Sequence, residues 1–155
     1  MAAPRRCLLP ACSAGLVLLL DQALKAGASR WAMAGLPLPL AGEGLVMAPS
    51  LNPGFIGGLW VGVGPVLGWL ALAAGGALLF LGGGERPAHG IALGLVAGGA
   101  WANGLDRIRL GGVMDWLVLG GRLAFNVADL ALLAGVVLGV AAAWRSRREQ
   151  VRRKG

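Results

Sequence analysis

The chain has 155 residues, 57% of them hydrophobic and only 14% charged, with a formal net charge of +7 at pH 7. That is one domain's worth of material. So little polar surface excludes a soluble globular protein, and uncharged stretches reach the roughly 20 residues that cross a bilayer. The positive charge does not point to nucleic acid, because nine of the fourteen Lys and Arg lie at the N-terminus, at Arg86 or between Arg145 and Lys154. They lack the aromatic interleaving of a nucleic-acid-binding face.

Charged residues used as fence posts predict four membrane spans. The first runs from about Leu8 to Leu24, between Arg6 and Lys25, with Asp21 near its end. Only a few apolar residues separate Arg6 from Cys12, whereas a cleaved leader needs an apolar core of roughly 7 to 15. The segment is therefore expected to be a retained helix. Cys7 and Cys12 suggest neither a disulfide framework nor a metal site.

A connection of 33 residues follows, Ala26 to Gly58, too long for a simple helix–helix turn. Its Leu36-Pro37-Leu38-Pro39-Leu40 run and the stretch Gly44 to Met47 predict short extended pieces lying as a small sheet on the membrane surface. The second span covers about Leu59 to Leu81, and Gly82 to Pro87 reads as a tight turn. The third covers about Pro87 to Leu105, and the fourth about Leu123 to Trp144, with Asp129 inside it. The spans are rich in Gly and Ala, so Gly75-Gly76 and Gly98-Gly99 read as helix-packing surfaces. Trp60, Trp101, Trp116 and Trp144 fall near span ends, as in interfacial belts. The basic tail, residues 145–155, is expected to fray and to stay on the cytoplasmic side. The expected fold is an all-α membrane protein forming one domain over residues 1–155. It is a four-helix transmembrane bundle with a small extracytoplasmic β-rich element between helices 1 and 2.

With both termini cytoplasmic, every Asp and Asn of the chain gathers at the outer face. Asp21 ends the first span, Asn52 precedes the second, Asn103 and Asp106 end the third, Asp115 lies in the outer connection, and Asn126 and Asp129 open the fourth. At 1.5 Å per helical residue, Asp129 lies roughly 10 Å deeper than Arg122. A charge at mid-bilayer costs about 2.5 to 3.5 kcal/mol on insertion scales, so Asp129 should face a polar interior.

Asn103 and Arg107, four apart, share a helical face, as do Asn126 and Asp129, three apart. Two carboxylates brought close at reduced dielectric cannot both ionise easily; one keeps a proton, and the pair can act as base and acid together. Such a pair activates water for peptide hydrolysis. Blander readings exist for some of these residues. Asp106 beside Arg107 reads as an interfacial ion pair, Asp21 with Lys25 as an i,i+4 pair at a helix end, and His89 as a solvated or capping residue. A proton- or ion-conducting membrane protein would also carry intramembrane Asp residues, but would space them through the bilayer depth.

Five ordered blocks resemble the lipoprotein signal peptidase (signal peptidase II) family. They are Asp21-Gln22-Ala23-Leu24-Lys25, Asn52-Pro53-Gly54, the run from Gly98 to Arg107, Gly112-Val113-Met114-Asp115-Trp116, and Phe125-Asn126-Val127-Ala128-Asp129. The resemblance implies an aspartic endopeptidase of the bacterial inner membrane that removes signal peptides from diacylglyceryl-modified prolipoproteins, cutting before the lipidated cysteine. It implies Asp115 and Asp129 as the catalytic pair, Asn52, Asn103, Arg107 and Asn126 as substrate-lining residues, and Asp21 and Lys25 as supports. It implies no metal or organic cofactor, and membrane lipid as the surroundings of the substrate. Phe55 follows Gly54 at once, where the family usually places small residues first. A catalytically silent scaffold derived from the peptidase is the alternative this departure allows.

Overall fold

The computed structural model describes residues 4–32, 37–42, 44–54, 62–81 and 87–154. It contains four helices, α1 (Pro4–Ala32), α2 (Gly64–Leu81), α3 (Pro87–Leu110) and α4 (Val127–Lys154). Four short strands, β1 (Leu38–Ala41), β2 (Leu45–Asn52), β3 (Val113–Leu119) and β4 (Leu123–Phe125), form one antiparallel sheet in that order.

The hub is α3, which packs along α1, α2 and α4 while those three touch one another far less. Its glycines make this possible. A Cβ at Gly98 would lie 2.6 Å from the carbonyl oxygen of Ala14 in α1, and one at Gly99 would lie 2.6 Å from that of Ala128 in α4. Where lipid gives no hydrophobic drive between helices, backbones this close gain dispersion contacts instead. Gly75 of α2 meets the ring of Trp101, whose indole N–H donates to the Leu72 carbonyl at 3.0 Å. Trp101 thus clasps α2 to α3 and does not serve as a belt residue. Gly76 has open space beside it and is no packing surface.

Two helical stretches, Leu8–Trp31 and Val127–Arg153, are long and apolar enough to cross a membrane; the apolar stretch of α2, Gly64–Phe80, is shorter. Helix α1 continues past Lys25 because that side chain is buried, only 4% exposed. A charge marks a span's end only when it faces water. The C-terminal tail is not frayed: α4 continues through it to Lys154, with the Arg148 guanidinium 3.7 Å over the Trp144 ring. The predicted turn over 82–86 and the start of the second span at 59–61 lie outside the described residues, as does Phe55.

The expected sheet between α1 and α2 is half of the one observed. The free edge of β2 pairs with β3, matching Ser50 with Asp115 and Asn52 with Val113, and β3 pairs with β4. Both added strands come from the α3–α4 connection, which satisfies backbone groups that an isolated hairpin would leave on its edge. Gly120 and Gly121, with φ of 57° and 67°, close the β3–β4 turn, and Arg122 N–H donates to the Leu119 carbonyl at 3.2 Å. Glycine adopts both positive φ values in this three-residue loop without a steric penalty. Along β3, Val113, Asp115 and Leu117 are buried while their neighbours are less so, and this period of two turns Asp115 toward the bundle.

Gly98→Ala is expected to lower stability in detergent by about 1–3 kcal/mol, because the added methyl must displace the backbone of α1. Gly76→Ala, into open space, should cost nothing; equal effects on the two unfolding temperatures would contradict this packing.

Candidate active site

The site is built around the first turn of α4, whose leading N–H groups have no partner within the helix. Asn126, immediately after β4, caps it: Asn126 Oδ1 accepts the Asp129 N–H at 3.0 Å, and Asp129 Oδ2 accepts the Asn126 N–H at 3.1 Å. This reciprocal cap replaces the shared helical face that the i,i+3 spacing suggested. From α1, the fully buried Asp21 accepts the Ala128 N–H on Oδ1 at 2.9 Å. One carboxylate caps the helix from outside and another from within.

Asp115, 4% exposed on β3, receives the Asn126 amide on Oδ1 at 2.8 Å and the Asn52 amide on Oδ2 at 3.3 Å. Asn52 sits at the end of β2 and is itself held by accepting the Gly54 N–H at 3.1 Å. On α3, Asn103 donates from Nδ2 to Asp129 Oδ1 at 2.7 Å and accepts on Oδ1 from Asn126 Nδ2 at 3.1 Å. One turn on, Arg107 Nη1 donates to the Asn103 carbonyl at 3.3 Å. Asn126 thus bonds both carboxylates, Asp115 through its side chain and Asp129 through its backbone, while Asn52 holds Asp115 and Asn103 holds Asp129.

These groups surround an open cleft of about 540 Å³ lined by Asn52, Asn103, Arg107, Asp115 and Asp129, with Ala71, Ala100 and Leu132 among its apolar walls. Five of the eight residues singled out from the sequence thus line one cleft. Asn126, with no exposed surface, is not among the lining residues; its side-chain NH₂ donates to Asp115 and Asn103 and its oxygen accepts the Asp129 backbone N–H. Asp21 and Lys25 lie further back.

Asp106 departs from the sequence reading. Adjacent helix positions point about 100° apart, so Asp106 turns to α1 while Arg107 turns to the cleft. Asp106 Oδ2 pairs with Lys25 Nζ at 2.7 Å and accepts the Met114 N–H at 3.1 Å, and its Oδ1 accepts from Gln22 Nε2 at 2.8 Å. Lys25 Nζ also pairs with Asp21 Oδ2 at 2.6 Å. Gln22 was missed from the sequence; its place between Asp21 and Lys25 was the available signal. His89, assigned a solvated or capping role, lines an apolar hollow of about 330 Å³ with Leu93 and Val136. Among the described residues no group of three His, Cys, Asp or Glu side chains could hold a metal ion.

Fold and site together define a helical membrane enzyme that carries paired carboxylates at the mouth of an apolar bundle. The same fold occurs in a bacterial membrane enzyme determined in meso at 2.3 Å resolution, with TM-score 0.74, 23% identity, and coverage of 89% of this chain and 88% of that one. The model of the family described as signal peptidase (SPase) II matches residues 13–145. A lipoprotein signal peptidase of Rhizorhabdus wittichii is 36% identical over 155 residues, covering 89% of this chain and 87% of the relative. One of Pelotomaculum thermopropionicum is 33% identical over 135 residues, covering 79% and 82%. The chain belongs to the signal peptidase II family, the aspartic-type proteases that remove signal peptides from prolipoproteins.

Burial pushes the Asp115 pKa up from 3.8; the charge of Asp129 pushes the same way, against the amides of Asn52 and Asn126. A carboxyl raised on folding contributes stability that is complete below 3.8 and is lost as pH climbs through the folded value. Asp129→Asn removes the repulsion but not the burial. A carboxyl ¹³C titration should therefore show the Asp115 midpoint moving down toward 3.8 without reaching it, and an unmoved midpoint would mean that the two carboxylates do not interact.

Proposed function

We propose that Asp115 and Asp129 are the catalytic pair with which this chain cleaves diacylglyceryl-modified prolipoproteins just before the lipidated cysteine. One observation carries the reading: both carboxylates border a single open cleft and are held there by Asn103 and Asn126. Burial favours the neutral form of Asp115, which suits it to the role of acid. Asp129 then acts as base toward a water in the cleft, while Asp115 donates to the carbonyl oxygen of the scissile bond. The water's oxygen bonds to the carbonyl carbon. When the tetrahedral species collapses, the C–N bond breaks and the nitrogen leaves with a proton returned by the pair. Arg107 and Asn52, on opposite walls, are placed to hold the substrate backbone.

The substrate's geometry suits this placement. A peptide bond beside an acylated cysteine lies at the membrane surface, within reach of carboxylates one or two helical turns below it. The apolar hollow between α3, α4 and Leu78 of α2 lies further along the bundle, where acyl chains and a signal helix would run. Four membrane spans, cytoplasmic termini and a cleft near the outer face of the bacterial cytoplasmic membrane complete the reading. A proton conductor would need acidic groups through the depth of the bundle, yet α2 contains no charged residue.

Purified protein should cut a lipidated precursor and spare the unlipidated form; indifference to the lipid would exclude this substrate. Asp129→Asn and Asp115→Asn should each lower turnover by about 10²–10⁴-fold, the usual range for a lost general acid or base. Membrane insertion should be unchanged in both. Asp106→Asn, which touches no part of the cleft, should affect stability more than turnover, and a loss as complete as for Asp129 would reverse the assigned roles.

A further inference from the structure

The two ends of an asparagine amide are nearly the same in shape but opposite in hydrogen-bonding sense, so its neighbours decide which end faces where. Asn103 presents its NH₂ to Asp129 at 2.7 Å. Turned over, it would set a carbonyl oxygen against a carboxylate and lose that bond. Two donors to its Oδ1 keep it from turning: Asn126 Nδ2 at 3.1 Å and, from α1, the Lys25 ammonium. Lys25 Nζ donates to Asn103 Oδ1 at 3.1 Å, and an ammonium can only donate.

Besides that hydrogen bond the ammonium makes two ion pairs, with Asp21 Oδ2 at 2.6 Å and Asp106 Oδ2 at 2.7 Å. Each carboxylate is pinned in turn, Asp21 by the Ala128 N–H and Asp106 by Gln22 and the Met114 N–H. The second asparagine has its sense fixed by the backbone, since its oxygen accepts the Asp129 N–H and leaves only its NH₂ for Asn103 and Asp115. The charged groups around this cluster are Asp21 on α1, Asp106 and Arg107 on α3, Asp115 on β3 and Asp129 on α4.

We propose that Lys25 is a positioning residue that helps set the direction of the hydrogen bonds in the site: by donating to Asn103 Oδ1 beside Asn126 Nδ2, it keeps the Asn103 NH₂ aimed at Asp129. It holds the base's Oδ1 in place and so fixes where the other lone pairs of Asp129 meet water. A stability role alone would need only the two ion pairs. The third bond, to an amide bonded in turn to Asp129, goes beyond that.

The inference rests on the proposed catalytic pair, and the experiment separates the two. Lys25→Met alone strands two buried carboxylates, so Lys25→Met/Asp106→Asn is used beside it, which removes the donor while keeping the local charge of the wild type. On lipidated precursor the double variant is expected to lose about 10- to 100-fold in kcat, the worth of one hydrogen bond to a charged group, with KM little changed. Asp106→Asn alone, which keeps Lys25, should retain turnover. Adding Asn103→Leu to the double variant should cost less than Asn103→Leu costs in the wild type, because both weaken the same bond to Asp129.

With ¹⁵N in asparagine only, the chain carries three side-chain amides, Asn52, Asn103 and Asn126. The Asn103 signal, identified by its loss in Asn103→Leu, should show one proton strongly shifted to low field in the wild type and not in the double variant. Unchanged kcat, additive losses, or an unmoved Asn103 signal despite a lowered unfolding temperature would each overturn the proposal and leave Lys25 purely structural. Failure of the wild type to cleave would instead overturn the catalytic reading.

Discussion

Close approach of α3 to its neighbours is the constraint on which everything else rests. In an apolar surrounding, helices gain little from burying leucine against leucine, and the gain comes from backbone proximity. Gly98 and Gly99 face different neighbours, Gly98 admitting α1 and Gly99 admitting α4. Asn103 lies about one turn further along the same helix and Asp106 about two, and they therefore reach Asp129 and Lys25 at close distance. Bulkier residues at the two glycines would separate those pairs, and each buried polar group would lose its partner.

Polar groups are costly in such an interior unless every donor and acceptor is used. Most of the cluster meets that condition: Lys25 makes one hydrogen bond and two ion pairs, and both oxygens of Asp106, Asp115 and Asp129 accept at least one N–H. A buried ion pair is weak ground for stability, since desolvation can offset its attraction. Here its value is geometric. The pair joins α1 to α3, and Asp21 carries the link on to the first turn of α4.

The sheet contributes what helices cannot. Asp115 must meet Asp129 across the cleft while standing outside the bundle, and a strand whose side chains alternate holds it at a definite height and facing inward. Pairing of β2 with β3 sets Asn52 near Asp115 from a part of the chain 63 residues away. Asn126, fully buried, lies behind Asp115 rather than in the cleft's lining.

Residue order by itself pointed to a helical membrane protein whose acids and amides gather at one end, and the family resemblance singled out Asp115 and Asp129. Composition and the five blocks suffice for that, because span length and the cost of intramembrane charge act on local sequence. Spacing could not say that Asp106 would choose Lys25 over its neighbour Arg107, since the choice depends on which helix lies beside which face. Nor could it say that Asn126 would cap α4 and not line the cleft, a matter of where the helix begins. Gly120-Gly121 between alternating residues was a legible hairpin signal, but its strand partner, β2, lies far away in sequence. Only the packed structure decided the sheet's full extent and the sense of each hydrogen bond. Both depend on neighbours brought together by folding, and no local preference encodes them.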